Sequence, residues 1–136
     1  MEQRPTILVL AASAGAGHLV AAQALACAFR AQAPHANVEV LDVLSICNPV
    51  FRRLYAGGYL GLVRYAPQAM GWLYELMDRP GGGLTNAVRV WAQNLNKLPI
   101  VRHVQRRRPR LIASTHYLPA EIVAQMRRTG LLDCPW

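Results

Sequence analysis

Short apolar runs alternate with helical patterns near both ends of the chain. Residues 6–12 are a run of apolar and β-branched residues, typical of a strand buried on both faces. Gly15 and Gly17 interrupt the run, and residues 18–33 then carry apolar side chains at helical spacing. A second strand is predicted at 38–44. Strand, helix and strand form a βαβ unit with a right-handed crossover.

The pattern changes after the second strand, because no convincing strand follows until residue 110. Helices are predicted at about 48–65, 67–77, 85–96 and 100–107, with a glycine-rich loop at 79–83. Residues 110–115 then return as a strand, and residues 119–128 form a helix. Residues 131–136 resemble the approach to a further strand. A sheet of only three strands is small, so we expect a truncated chain or a fragment.

The order of the strands decides which side chains meet. Open α/β sheets bind ligands at the carboxyl ends of their strands, where the strand order reverses. We expect the 110–115 strand to lie beside the first strand, opposite the 38–44 strand. This order brings His18, which follows the first strand, close to Thr115 and His116 at the end of the third.

The turn Gly15-Ala16-Gly17-His18 is the best candidate for chemistry. It has valine where a dinucleotide fingerprint needs a third glycine, and it has no phosphate-loop lysine. Glycines still allow a ligand to approach the backbone, and the following helix N-terminus offers N–H groups to an anion. The alternative is an ordinary strand-to-helix turn with a structural histidine. His116 could likewise only satisfy a backbone carbonyl.

Charge is distributed unevenly along the chain. The formal net charge is +8; residues 1–45 hold two arginines and three acids, whereas residues 46–136 hold thirteen basic residues and four acids. A basic half suits a membrane surface, a nucleic acid or a phosphorylated ligand. The three cysteines have no metal or disulfide spacing, which favours a reducing cytoplasm. We recognise no signal peptide or membrane span, so we expect any membrane contact to be peripheral.

Three stretches of the chain resemble a known family. They are SAGAGHLVAAQAL at 13–25, VEVLDVL and its continuation at 38–78, and RRPRLIASTHYLP at 107–119. In this order they resemble the N-terminal domain of the diacylglycerol glycosyltransferases, which include monogalactosyldiacylglycerol synthases and processive diacylglycerol glucosyltransferases. The resemblance implies an α/β fold: a Rossmann-like parallel sheet with flanking helices, the acceptor half of a GT-B enzyme. Residues 1–136 would then lack the C-terminal UDP-sugar domain, and the isolated chain is expected to be inactive.

The resemblance also implies a reaction. A hexose passes from a UDP-sugar to diacylglycerol or a related membrane lipid with inversion, without a metal and without a cofactor besides the donor. His18 matches the family's glycine-turn histidine, the expected base or its positioner. Gly15 and Gly17 match the loop glycines, and with Thr115 and His116 they are the expected substrate-binding residues. Glucose or galactose, the acceptor lipid, processivity and oligomeric state stay open.

Aromatic residues and arginines are interspersed across residues 48–108, which suits a surface in contact with lipid headgroups. The candidate contacts with membrane or acceptor are Tyr55, Tyr59, Arg64 and Trp72. The basic run at 102–110 would add attraction to an anionic leaflet. We therefore expect a peripheral protein on the cytoplasmic face of a membrane. These aromatics could equally be ordinary core residues.

Two other function classes stay open. One is a nonenzymatic protein that binds lipid surfaces. The other is a basic nucleic-acid-binding module. The second is disfavoured because the sequence shows no sheet aromatics of the RNA-binding type, no recognition helix and no zinc spacing.

Overall fold

Three parallel strands lie at the centre of the fold, in the order β2-β1-β3. The computed structural model describes residues 4–66, 68 and 97–136. The strands are β1 (Thr6–Ala11), β2 (Asn37–Asp42) and β3 (Leu111–Ser114). The helices are α1 (Ala16–Gln32), α2 (Val43–Ile46), α3 (Pro49–Tyr65), α4 (97–107) and α5 (Tyr117–Arg128). This arrangement is the predicted Rossmann-like α/β fold.

The strand order agrees with the prediction. In β1, Val9 pairs with Val40 of β2 on one side and with Ala113 of β3 on the other. The first strand is therefore the point where the strand order reverses. Its carboxyl end is where this class of sheet binds ligands.

Both faces of the central strand are buried, because its side chains alternate between two apolar clusters. Leu8 and Leu10 belong to a cluster that also includes apolar residues of α4 and α5. Val9 belongs to the other, where the small side chains of Ala22 and Ala26 allow α1 to pack closely on the sheet. Helices thus cover both faces of the sheet.

Part of the predicted helical excursion lies outside the described residues. Apart from residue 68, this concerns the helices predicted at 67–77 and 85–96, the loop at 79–83 and the candidate contact Trp72. The helices predicted at 48–65 and 100–107 are confirmed as α3 and α4. Tyr55, Tyr59 and Arg64 lie in α3. None of the described helices has the length and apolar character needed to cross a membrane.

The second strand is shorter than predicted. It ends at Asp42, and the apolar residues Val43 and Leu44 begin the short helix α2. The cause is the Asp42 side chain, whose Oδ1 accepts a hydrogen bond of 3.1 Å from the Leu44 N–H and caps that helix. The buried Val43 and Leu44 fit the apolar pattern of a strand equally well, so the pattern alone misplaced the boundary.

The helices α4 and α5 end in different residues but in a similar backbone conformation. After α5, Gly130 takes a left-handed conformation (φ 70°), and the Leu131 N–H donates to the Met126 carbonyl. After α4, Arg108 takes a left-handed conformation (φ 44°), and its N–H donates to the Val104 carbonyl. Among the described residues, Arg108 alone is a non-glycine residue with positive φ.

The segment 131–136 does not form the further strand that the sequence suggested. It does run beside β3, since the Ile112 N–H donates to the Pro135 carbonyl at 3.0 Å. This bond lies on the edge of β3 that faces away from β1.

Candidate active site

Two histidines and a threonine meet at the carboxyl edge of the sheet, as predicted. His18 lies in the first turn of α1, and Thr115 and His116 lie between β3 and α5. The two imidazole rings make an edge-to-face contact with their centroids 4.6 Å apart. Residues far apart in the sequence thus share one small surface because their strands are neighbours.

His18 and Thr115 are joined by two hydrogen bonds in opposite directions. Nδ1 of His18 lies 2.6 Å from the Thr115 carbonyl oxygen. The Thr115 hydroxyl donates to the His18 carbonyl oxygen at 2.9 Å. The Thr115 N–H donates to the Leu10 carbonyl at 2.9 Å, which anchors the threonine backbone to β1. The exposed imidazole of His18 is therefore held at a fixed place on the sheet edge.

The contact with Thr115 assigns the hydrogen on the His18 ring. A carbonyl oxygen can only accept, so Nδ1 carries the hydrogen. In the neutral ring, Nε2 then has the lone pair. The arrangement presents a hydrogen-bond acceptor, and thus a potential base, at the carboxyl edge of the sheet.

His116 has the opposite arrangement. Its Nδ1 accepts a hydrogen bond of 3.0 Å from the Leu118 N–H and so caps the N-terminus of α5. In the neutral ring the hydrogen is therefore on Nε2. Burial lowers the pKa of His116, and the neighbouring His18 lowers the same pKa further. Both effects favour a neutral His116.

The fold itself does not require glycine at the two predicted loop positions. Gly15 precedes α1 in extended backbone (φ 174°), and it makes no side-chain cap. A Cβ atom at Gly15 or Gly17 would meet nothing within 4 Å. Since the first N–H groups of a helix lack intrahelical acceptors, the glycines leave open space beside backbone donors. This space suits the close approach of an anionic ligand.

Asp42 supports the glycine turn, and the sequence reasoning missed it. Its Oδ1 also accepts a hydrogen bond of 3.0 Å from the Ser13 N–H, so it joins the turn after β1 to the end of β2. An acid within an otherwise largely apolar run was the available signal. Burial, and to a lesser degree Asp42, raises the pKa of Cys47 to about 11. The Cys47 thiol is therefore protonated near neutral pH, which disfavours reaction as a nucleophile.

The basic run lies toward the other end of the sheet. Arg110 donates its N–H to the Thr6 carbonyl at the start of β1, which marks the amino edge. Arg102, Gln105, Arg106 and Arg108 line an open surface cleft there. Arg107 instead forms an ion pair of 2.9 Å with Glu39, which also contacts Nε2 of His103 at 3.1 Å. A six-residue strand spans about 20 Å, so the histidines and the cleft are well separated.

The predicted contacts with membrane or acceptor are not tested by the geometry. Arg64 is exposed at the end of α3, and its guanidinium lies 5.5 Å from the ring centroid of Tyr65. The roles assigned to Tyr55, Tyr59, Arg64 and Trp72 stay predictions. Within residues 4–66, 68 and 97–136, no group of three or more His, Cys, Asp or Glu side chains could hold a metal ion.

The fold and the position of the site define a Rossmann-like α/β domain with its candidate chemistry at the switch point. The chain belongs to the monogalactosyldiacylglycerol (MGDG) synthase family, whose model matches residues 18–135, and the resemblance seen in the sequence is confirmed. Family membership indicates a glycosyltransferase of glycolipid biosynthesis. No curated protein and no solved structure matches the chain.

Proposed function

We propose that this chain is the acceptor-side domain of a hexosyltransferase, which moves a sugar from a UDP-sugar to diacylglycerol or a related membrane lipid with inversion. The observation that carries the proposal is the 2.6 Å contact between Nδ1 of His18 and the Thr115 carbonyl oxygen, which leaves Nε2 as an acceptor beside the open turn at the switch point. Family membership supplies the class of reaction. A C-terminal domain that binds the UDP-sugar is part of this proposal.

In the proposed reaction His18 acts as the general base. The acceptor hydroxyl gives its proton to Nε2 while its oxygen attacks the anomeric carbon. A new carbon–oxygen bond forms, and the bond between the anomeric carbon and the UDP oxygen breaks. Attack from the face opposite UDP inverts the anomeric centre in one step, without a covalent enzyme intermediate.

Thr115 supports the charged form of His18. When Nε2 takes a proton, Nδ1 still donates to the Thr115 carbonyl oxygen, and a hydrogen bond from a charged donor is stronger than one from a neutral donor. A neutral His116 beside His18 avoids a second positive charge at the same place. The pair is therefore suited to receive one proton.

Gly15 and Gly17 have a separate proposed role. The open space at the start of α1 would receive the diphosphate side of the donor, with backbone N–H groups and the helix dipole facing its negative charge. This binding also stabilises the charge that develops on UDP as it leaves. The arrangement needs no metal ion.

The proposed partner is an anionic membrane surface, with the protein bound peripherally on its cytoplasmic face. The exposed arginines of the amino-edge cleft would supply the attraction, together with the contacts proposed for Tyr55, Tyr59, Arg64 and Trp72. The cleft lies at the opposite edge of the sheet from His18, so its arginines are proposed to attract the membrane and are not assigned a contact with the reacting hydroxyl. Nonenzymatic lipid binding is the alternative if no transfer occurs.

The test is a transfer assay in the complete protein, in which this domain is joined to its donor-binding domain. Mixed vesicles with diacylglycerol receive UDP-glucose or UDP-galactose, and the glycolipid product is analysed by NMR. A β-linked product from the α-linked donor supports the proposal and its inversion. Vesicle binding without glycolipid formation would favour the nonenzymatic alternative.

A further inference from the structure

The hydroxyl group of Thr115 is already engaged within the protein. It was expected to bind substrate, but its single hydrogen lies toward the His18 carbonyl at 2.9 Å, with the Leu10 carbonyl further away at 3.5 Å. The Thr115 carbonyl oxygen is equally engaged, by Nδ1 of His18. Thr115 therefore touches His18 through both its side chain and its backbone.

The two contacts have different effects. The hydroxyl bond holds the first turn of α1 against the end of β3. The Thr115 carbonyl oxygen accepts a hydrogen bond from the imidazole of the same histidine and keeps the hydrogen on Nδ1. Because the Thr115 N–H is bonded to Leu10 of β1, its backbone is held on the sheet by a contact that does not involve α1. The hydroxyl is thus the group that keeps the ring in reach of the carbonyl.

We propose that Thr115 is a positioning residue for His18, and that its hydroxyl and carbonyl together hold the histidine in the tautomer with hydrogen on Nδ1 and a lone pair on Nε2. The meaning of that lone pair as the acceptor of a substrate proton rests on the proposed transferase function. The assignment of the tautomer does not rest on that function. The tautomer is a property of the chain in solution.

His116 provides an internal reference for the measurement. The Leu118 N–H donates to its Nδ1, so its neutral ring has the hydrogen on Nε2. The neighbouring rings of His18 and His116 should therefore show opposite tautomers in one spectrum. A general effect of burial or solvent would not produce opposite tautomers in rings 4.6 Å apart.

The experiment is long-range proton–nitrogen NMR of the 136-residue chain with ¹⁵N-labelled histidine. The pH is about 8, where imidazole groups of ordinary pKa are neutral. We expect His18 to show protonated Nδ1 and unprotonated Nε2, and His116 to show the reverse. Thr115→Val, which keeps the side-chain shape, should shift His18 toward the Nε2–H tautomer. Thr115→Ser should restore the original signals.

Thr129→Val is the matched control. The Thr129 hydroxyl also donates to main-chain carbonyls, those of Gln125 and Met126, but it lies at the far end of α5. This variant should leave the His18 signals unchanged. A change in His18 as large as that of Thr115→Val would overturn the proposal, because the effect would then be nonspecific.

The proposal is also overturned if unmodified His18 shows the Nε2–H tautomer, or if folded Thr115→Val keeps the Nδ1–H signals. The spectrum of the unmodified chain shows the tautomer of His18 even when Thr115→Val does not fold. None of these measurements uses sugar transfer. A His18 held as the Nδ1–H tautomer in a protein that transfers no sugar would refute the proposed function and leave this inference standing.

Discussion

The two edges of the central sheet differ in how their polar side chains are arranged. At the carboxyl edge, side-chain and backbone groups of His18, Thr115 and His116 are connected by hydrogen bonds and ring contact. At the amino edge, the exposed arginines of the cleft spread positive charge over the surface. The first arrangement orients one atom, and the second is proposed to attract an extended anionic partner without fixing its orientation. The family's chemistry is therefore expected at one end only.

The amino edge also tolerates strain that the rest of the described chain avoids. Gly130 and Arg108 occupy the same left-handed region, but only the glycine does so without a steric penalty. An arginine there costs roughly 1 kcal/mol. We infer that the charge of Arg108 is retained at some expense of stability. Substitutions at either edge should therefore have different effects.

The largest effect is expected at His18, measured in the complete enzyme. His18→Ala should lower kcat by about 10²–10⁴-fold, or roughly 3–5 kcal/mol, because a general base acts in the transition state. The KM for the UDP-sugar should change little, since the donor is proposed to sit mainly on the other domain. A near-normal rate in folded His18→Ala would remove His18 from the mechanism.

Two amide substitutions separate the functions of the two ring nitrogens. His18→Asn can place a donor near Nδ1 and keep the bond to Thr115, but it has no atom at Nε2. His18→Gln can reach the Nε2 position but cannot take a proton. Loss of kcat in both, comparable to alanine, supports proton transfer. A near-normal rate in His18→Gln alone would reduce His18 to positioning the acceptor.

The second effect is on membrane binding at the amino edge. Changing Arg102, Arg106 and Arg108 together to glutamine should weaken binding to anionic vesicles by about 100-fold, since each arginine near the surface contributes about 1 kcal/mol. Higher salt should reduce binding, because charges are screened beyond about 8 Å at physiological ionic strength. The measurement is vesicle cosedimentation, with neutral vesicles as the control.

Arg107 provides a matched single substitution. Arg107→Gln removes the same charge as Arg106→Gln. The Arg107 guanidinium, however, is paired with Glu39 and does not line the cleft. Arg106→Gln should therefore weaken vesicle binding more than Arg107→Gln. Equal losses, or equal binding of the parent chain to neutral and anionic vesicles at low salt, would contradict a local electrostatic surface.

A smaller effect is expected at the two helix ends. Gly130→Ala should lower the free energy of unfolding by about 1 kcal/mol, because alanine does not favour positive φ. Arg108→Gly should raise it by about 0.5–1 kcal/mol and weaken vesicle binding. Urea unfolding gives both values. If Arg108→Gly destabilises the chain, the strain assigned to Arg108 is wrong.

The smallest effect is the contribution of His116 to the pH dependence of stability. Its pKa is lowered in the fold by burial and by His18, so the unfolded chain binds a proton first as the pH falls. The contribution of neutral His116 to the free energy of unfolding is fully present above the pKa of the unfolded chain, about 6.5, and is lost as the pH falls below that value. His116→Asn should flatten this loss between about pH 7 and 5 while keeping the cap of α5. An unchanged slope would contradict the assignment.

The strand order and the meeting of His18 with His116 could be predicted from the sequence, because strand ends in a parallel sheet share one edge. The contact of Thr115 with His18, on which its proposed role rests, could not be predicted, since it depends on the register that places its carbonyl beside one ring nitrogen. The end of β2 was misplaced because the Asp42 cap competes with an apolar pattern that fits a strand and a helix equally well. Individual side-chain hydrogen bonds determine where a strand ends and which groups meet, and the spacing of apolar residues does not predict them.

The connection between His18 and Thr115 also bears on how the chain folds, since these residues are 97 positions apart. Contacts within β1, α1 and β2 close short loops and can form early. The pairing of β1 with β3 must close a much longer one, so the candidate base acquires its fixed tautomer only in the late stages of folding. A nascent or partly unfolded chain would have the histidine but not its orientation, so the proposed base could not act until both ends of the domain had met.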